Sequence, residues 1–466
     1  MFLQLDQKNP DKVAVIDDSG LALTYGNLCN YADEFKKALP HRTLVFILAE
    51  NRIGSLVGYT SFLNNRVVPL VLSNNTEKSL FDNLFETYKP EFLWLPENRV
   101  GEFSSESPIY SVFGYALVKT GNPIPQMFEN LSLLLPTSGS TGSPKLVRHS
   151  YRNIEANAEN VMNLFGLTPS ERAMASLPMH YTMGLSVIAS HLFAGATILL
   201  CGKSLLDAGF WKMLKDAATS FTGVPYSYEL LSKLRFFRMD LPDLKIITQG
   251  GGKLTIEMWQ QLAQYAQDKG KRFIATYGQS ECTARMAYLP AELALSKPCS
   301  IGIAEPGGQL SLINNDGIET FEGEDTGEMI YRGENVTLGY ANSLADLLKG
   351  DENHGVLHTG DMARVDEDGF YYITGRKKRF VKVWGNRCNL DQVEQLVKPI
   401  TTTCACAGVD DHITVFVTKE GLEKEIKDLL ASKTGLNPIA FAVKVIEAIP
   451  VKDSGKIDYP LLQEWL

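Results

Sequence analysis

The sequence contains no long apolar run. None approaches the roughly 18 residues that a bilayer-spanning helix needs, so no transmembrane segment is expected. Its start, MFLQLDQKNPDK, lacks the charged-then-apolar pattern of a secretory leader. Cysteine is scarce and odd in number, seven in 466 residues, which points to a reducing, cytoplasmic setting. Cys404 and Cys406, in TTTCACAG, share one face of an expected strand. With no second pair nearby they read as buried core rather than as a metal or redox C-x-C. Positive charge is not in excess: the net charge of −9 weighs against a nucleic-acid coat. No internal repeat and no low-complexity segment is visible. What is present is an ordinary globular composition, 44% hydrophobic and 21% charged.

The apolar pattern alternates between strand and helix. VAVIDDSGLALTYGNL reads as a strand, a turn, a second short strand and a helix that starts at Thr24. LVFILA, GSLVGYTSFL and VVPLVL follow as strand, helix and strand, the rhythm of parallel β-α-β units. The rhythm returns in ATILLC, KMLKDAAT, SFTGVP, LKIITQGGGKL, TIEMWQQLAQYAQDKG and RFIATYGQSE. Several of these strands end in Gly- or Ser-bearing loops, and ligands of open α/β sheets bind outside the carboxyl ends of strands. After about residue 300, GEMIYRGENVTLGY and GFYYITGRKKRFVKVWGNR read as short β hairpins. The last ninety or so residues read as helix, two strands, helix and strand, a small α+β unit. The expected fold is therefore α/β: a large N-terminal domain, residues 1–376, of α/β sheets plus a β-rich subdomain. A small α+β C-terminal domain, 377–466, begins within the basic piece Arg376-Lys377-Lys378-Arg379.

Several polar clusters lie at expected strand ends. PTSGSTGSPK (136–145) follows the apolar Leu133-Leu134-Leu135. Its glycines let backbone N–H groups converge on an anion, its hydroxyls add donors, and Lys145 adds a mobile charge. A Gly/Ser linker has the same composition, and the loop does not fit the Walker A template, which needs Gly before its Lys. YGQSEC (277–282) offers a ring that can stack on a base and a carboxylate, Glu281, that can hold Mg²⁺; a plain turn with an exposed Glu is the alternative. Asp361, in an expected turn of HTGD, can accept from both ribose hydroxyls, or serve only as a turn residue. GRKKRFVKVWGNR is a solvated basic strand face or a minor nucleic-acid patch. Lys456, in PVKDSGKIDY, reads alone as a surface lysine.

Taken together and in order, these pieces resemble the acyl-adenylate-forming superfamily of acyl-CoA synthetases, adenylation domains and luciferase-like enzymes. TSGSTGSPK matches its phosphate loop, YGQSE its Y-G-x-[TS]-E, HTGD with DGFYYITGRKKR its ribose and hinge motif, and SGKID its catalytic-lysine motif. GEMIYRGENVTLGY and the QGGG turn also fit. The resemblance covers nearly the whole chain. It implies ATP-dependent conversion of a carboxylic acid to acyl-AMP with release of pyrophosphate, then transfer to a thiol. CoA is the expected acceptor, and the phosphopantetheine of a separate carrier protein is the alternative. It implies that Thr137, Ser138, Gly139, Ser140, Thr141, Gly142 and Lys145 hold the β/γ-phosphates. Ser280 and Glu281 would serve the α-phosphate and Mg²⁺. Tyr277 would stack on adenine beside Gly250, Gly251 and Gly252. Asp361 would take the ribose, with Arg376 near it. Gly278, Gln279 and Ile373 complete the nucleotide-binding set. Lys456 would bridge the acid and the α-phosphate, and a hinge at Lys378 would swing it out so that Gly385 lines the thiol's path. Ser280 stands where Thr is commoner in the superfamily.

The resemblance directs the acyl pocket to 177–186, 222–227, 249–253 and the stretch after YGQSE. Superfamily members that take amino acids usually carry an Asp in the segment matching 179–184. Here that segment is Met-His-Tyr-Thr-Met-Gly, which points away from a substrate with a buried ammonium. His180, Tyr181, Met183 and Tyr226 suggest a mixed polar and aromatic pocket; His180 either touches the substrate in catalysis or packs at the rim. No nucleic-acid and no membrane partner is expected.

Overall fold

The structure, a computed structural model, describes all residues except 104–106, 137–144, 315, 322–324, 378, 385 and 453–455. Two compact units divide the chain: Met1–Gln309 with Arg332–Leu357, and Leu310–Tyr331 with His358–Leu466. This division by compactness groups residues 310–331 and 358–376 with the C-terminal residues.

The first unit is built from alternation at two periods. In the strand Leu44–Ala49, Val45, Ile47 and Ala49 face one core while Leu44, Phe46 and Leu48 face another. Such a strand is buried on both sides, as its unbroken apolar run requires. It lies in an eight-stranded sheet, parallel to Val68–Ser73 and Phe92–Pro96. A second, nine-stranded sheet has a parallel centre: Arg272–Tyr277, Ile246–Gln249, Ser220–Gly223, Arg172–Ala175, Thr197–Leu200 and Val13–Asp17.

The helices Ile53–Asn64 and Thr182–Phe193 share one core with inward faces of both sheets. The first is buried along nearly its whole length. It can be so because Gly54 and Gly58 let rings close in. A Cβ at Gly58 would meet the Trp94 indole at 2.2 Å, and one at Gly54 would meet Tyr115 at 2.4 Å. The expected helix start at Thr24 is an N-cap: its hydroxyl accepts from the Asn27 N–H, and Asn27 returns a carbonyl oxygen to the Thr24 N–H.

In the second unit lies most of a five-stranded sheet, from Glu319–Thr320 through Gln309–Ile313, Asp325–Arg332 and Val356–Val365 to Tyr371–Arg376, with both outer pairs antiparallel. A hairpin, Phe380–Val383 with Asn386–Asn389, follows. Then come the helix Leu390–Val397, the strands Cys404–Val409 and His412–Val417, the helix Glu423–Thr434 and the strand Phe441–Val445, in the expected order. Cys404 and Cys406 are buried in the core of this unit, as one face of their strand. All seven cysteines are free thiols.

Two expectations are corrected. GEMIYRGENVTLGY is not a hairpin: Asp325–Arg332 belongs to the five-stranded sheet, whereas Tyr340–Ala341 pairs with Leu146–Val147 in the eight-stranded one. A long-range partner wins over the local turn. Asp361 is not in a turn either; it lies within the ten-residue strand Val356–Val365. Gly360 there has a φ of +68°, and the register shifts between Met362 and Ala363, so the strand kinks where a turn was expected.

Candidate functional site

Three parallel strands of the first unit end side by side, with Gly223 opposite Gln249 and Gln249 opposite Ala275. Each carries glycine at or just past its end: Gly223 in the first, Gly250 to Gly252 after the second and Gly278 after the third. At the middle strand, Gly250 has no room for a side chain: a Cβ would lie 2.6 Å from Met183 Cε and 2.8 Å from Thr276 Oγ1. Gly251 has a φ of +76°, and the Gln249 amide closes the turn by donating to the Gly252 carbonyl at 2.6 Å.

At the third strand, Tyr277 leads into Gly278, Gln279, Ser280 and Glu281. The chain doubles back so tightly that a Cβ on Gly278 would sit 1.7 Å from the Ala284 carbonyl oxygen. Thr283 and Ala284 take positive φ, +56° and +97°, a conformation that non-glycine residues hold only when their surroundings impose it. Asn335, fully buried, does so. Its amide nitrogen lies 3.0 Å from the Cys282 carbonyl and 2.8 Å from that of Arg285. The Thr337 N–H and hydroxyl both donate to the Glu281 carbonyl at 3.0 Å.

The side chains that this turn presents are themselves held. Ser280 Oγ accepts from the hydroxyl of Thr182, the first residue of Thr182–Phe193, at 2.8 Å. The Gln279 amide donates to the Tyr277 hydroxyl at 3.3 Å. Glu281 Oε1 accepts from the Tyr340 hydroxyl at 2.8 Å. Burial, and then the Glu281 charge and hydrogen bond, push the Tyr340 phenol well above its ordinary range, so it stays a donor. The Lys145 ammonium lies 5.1 Å from the centroid of the same ring. Lys145, Glu281 and Tyr340 thus meet, although 136 and 59 residues separate Glu281 from the other two along the chain. His180 packs its ring 4.5 Å from that of Tyr181, at the start of the helix that supplies Thr182 and Met183. Between Met179 and Gly184 no acidic residue occurs. Tyr226, on Pro225–Lys233, is 59% exposed.

The second unit carries the other candidates. Asp361 is buried at 5% exposure. It pairs across the strands with Arg376, whose Nε lies 3.3 Å from Asp361 Oδ1. The Arg376 N–H donates to Asp391 at 2.9 Å. Ile373 stands opposite Ala363 in the same ladder. Lys456 is exposed; its carbonyl accepts from the Lys452 N–H at 2.8 Å, and Val451 bridges Ile457 beside it. The basic run reads differently in three dimensions. Arg376, Lys377 and Arg379 pair with Asp361, Glu328, Asp391 and Glu394, so much of its charge is locally matched. Thr137, Ser138, Gly139, Ser140, Thr141 and Gly142 of the loop lie outside the described residues, as do Lys378 and Gly385.

Tyr340, Thr182 and Asn335 were not singled out in the sequence. Tyr340 and Asn335 lie within GEMIYRGENVTLGY, but nothing local marks them, because each acts on a turn more than fifty residues away.

A sequence profile of the family described as AMP-binding enzyme matches residues 3–341. Indoleacetate–CoA ligase of Aromatoleum aromaticum is 31% identical over 361 residues, covering 73% of this chain and 69% of the relative. 2-Succinylbenzoate–CoA ligase of Bacillus cereus is 28% identical over 403 residues, covering 82% and 80%. Luciferin 4-monooxygenase of Nipponoluciola cruciata is 26% identical, and the chain spans 64% of its length and 72% of its own. Among solved structures, O-succinylbenzoate coenzyme A synthetase of Bacillus subtilis in complex with AMP superposes with a TM-score of 0.80. It has 19% identity and covers 99% of this chain and 97% of that one. ATP-bound MatB of Rhodopseudomonas palustris gives 0.77 at 20% identity, covering 100% and 98%.

Proposed function

The chain belongs to the AMP-binding enzyme family, and from that footing we propose that it is an AMP-forming acid–CoA ligase. The observation that carries this reading is the meeting of Lys145, Tyr340 and Glu281 beside glycine-lined strand ends. A cation and a carboxylate held by one side chain suit a triphosphate with its divalent ion.

In the first half-reaction a carboxylate oxygen attacks the α-phosphorus of ATP, the bond to the β-phosphate oxygen breaks, and pyrophosphate leaves. In the second, the CoA sulfur attacks the acyl carbon of the mixed anhydride, AMP leaves and the thiol proton is lost. The obstacle is electrostatic, since an anion must approach a polyanion. Lys145, with the loop from Thr137 to Gly142, holds the β/γ-phosphates. Ser280, fixed by Thr182, serves the α-phosphate. Tyr277, with Gly250 to Gly252, bounds the adenine, with Gly278 and Gln279 shaping the same turn. Asp361 takes the ribose hydroxyls, with Arg376 and Ile373 beside it, and Lys456 neutralises the acid and the α-phosphate together.

Glu281 fits a magnesium ion. Its donor type is right, Oε1 is already oriented by Tyr340, and among the described residues no cluster of three metal-binding side chains competes. Glu281 would hold the ion, which would supply positive charge to the phosphates. The boundary at 376/377, with its hinge at Lys378, marks the part that moves between half-reactions, and Gly385 then lines the path of the thiol.

The acid is a small carboxylic acid without an α-ammonium. The absence of an acidic residue from 179–184 supports this, and His180 either touches the acid or packs at the rim of its pocket. Among the described residues no helix is long and apolar enough to cross a membrane. Free thiols throughout support a reducing, cytoplasmic location. The test is ATP–pyrophosphate exchange over a panel of aryl, arylalkanoic, dicarboxylic and amino acids, followed by product mass with CoA and with a phosphopantetheinyl carrier. We expect acid-dependent exchange and an acyl-CoA. Exchange only with amino acids, or transfer only to the carrier, would overturn the respective part of this reading.

A further inference from the structure

Tyr340 touches two charged groups from opposite sides of its side chain. Its hydroxyl donates to Glu281 Oε1 at 2.8 Å, and its ring faces the Lys145 ammonium at 5.1 Å. Its backbone cannot drift. Tyr340 pairs with Val147, one strand position from Arg148. The Arg148 guanidinium is fully buried and donates to the Tyr340 carbonyl at 3.0 Å and to the Leu338 carbonyl at 2.9 Å. The Arg148 N–H donates to the Gly339 carbonyl. On the other side, the Glu281 backbone is fixed by Thr337, three residues before Tyr340. One short segment, Thr337 to Tyr340, therefore sets both the turn that carries Glu281 and the ring on which Lys145 rests.

Resting on the functional reading above, we propose that Tyr340 is a positioning residue for magnesium–nucleoside triphosphate. Its hydroxyl orients the Glu281 carboxylate toward the ion, and its ring orients Lys145 toward the phosphates. A single side chain so aligns the anionic and the cationic group that have to converge on one polyphosphate. The two functions are separable, because phenylalanine keeps the ring and leucine keeps neither.

The test is calorimetric binding of ATP, in excess Mg²⁺ and in EDTA, to the full-length wild type and to Tyr340→Phe, Tyr340→Leu and Glu281→Gln. Tyr340 is 37% exposed, so these substitutions open no core cavity, and thermal midpoints check that each variant is folded. Tyr340→Phe should weaken binding in Mg²⁺ by about tenfold, the scale of one hydrogen bond to a charged group, and leave binding in EDTA unchanged. Tyr340→Leu should in addition weaken binding in EDTA by about threefold, the scale of an exposed cation–π contact. The double variant Tyr340→Phe/Glu281→Gln should bind no more weakly than Glu281→Gln alone. Unchanged binding of Mg–ATP by Tyr340→Phe, additive losses in the double variant, or identical EDTA affinities for the Phe and Leu variants would each overturn the proposal. Failure of the underlying reading is distinct: Glu281→Gln would then bind Mg–ATP as tightly as wild type.

Discussion

Lys456 shows what a single residue reveals in sequence and what it conceals. Alone it is a lysine in a polar tail, and only the order of the motifs before it suggests a task. In the structure it is exposed in the second unit, next to the bridge between Val451 and Ile457, while Lys145, Ser280 and Glu281 belong to the first. A lysine that works only in adenylation should be dispensable afterwards. Lys456→Ala is expected to slow acid-dependent ATP–pyrophosphate exchange by roughly 10²- to 10³-fold, the usual loss for one charge-stabilising group. Thioester formation from supplied acyl-AMP should stay near the wild-type rate. Equal loss in both half-reactions would contradict the role given to it. Glu281 and Lys456 could be proposed from the sequence because they stand in motifs whose order along the chain is recognisable. Tyr340 was not, since its neighbours come from chain segments about 60 and about 195 residues away.

Among the elements, Arg379 gathers several segments of the second unit around one side chain. Arg379 bonds Asp391 and Glu394 on the helix Leu390–Val397, donates to the Cys406 carbonyl at 2.7 Å, and stacks 3.6 Å from the Tyr459 ring. The Tyr459 hydroxyl also donates to Glu394, at 3.0 Å. Tyr459 is three residues from Lys456, so this cluster links Arg379 to the stretch that carries the lysine proposed for adenylation. Glu394 is buried, and burial raises its pKa although Arg379 opposes the rise. Arg379→Met removes that opposition and leaves a buried carboxylate unmatched, at a cost of about 3–5 kcal/mol near neutral pH. A carboxyl whose pKa is higher folded than unfolded binds more protons in the folded state, so stability falls as pH rises above its ordinary value. Urea unfolding should therefore show a larger deficit for Arg379→Met at pH 7 than at pH 5. A deficit independent of pH would place the effect elsewhere. The strand and helix order of this region was readable from apolar spacing. The ion cluster was not, because GRKKR alone resembles any solvated basic run.

For the whole molecule, the alternation of apolar runs foretold parallel α/β units and strand ends with glycine turns. It did not foretell two sheets sharing one layer of helices. That depends on which face of Leu44–Ala49 meets which partner, and both faces of the strand are equally apolar. The same dense interior buries two histidines in the first unit. His149 is fully buried, and burial lowers its pKa to about 3. His191 is lowered to about 4, by burial first. Both fold as neutral rings and take up protons on unfolding, so their contribution is full above pH 6.5 and is lost as pH falls toward 4. Each should cost about 2 kcal/mol at pH 5 relative to pH 7. The unfolding midpoint of the first unit should fall accordingly, and equal midpoints at the two pH values would show that these rings are not held neutral.

The central claim is that the acid's own oxygen attacks the α-phosphorus. An acid that supports exchange, labelled with ¹⁸O in its carboxylate, should be turned over with ATP and CoA and the nucleotide product weighed. The account predicts AMP carrying one labelled oxygen, alongside unlabelled pyrophosphate. Label in inorganic phosphate with ADP as the nucleotide product, or unlabelled AMP, would contradict it.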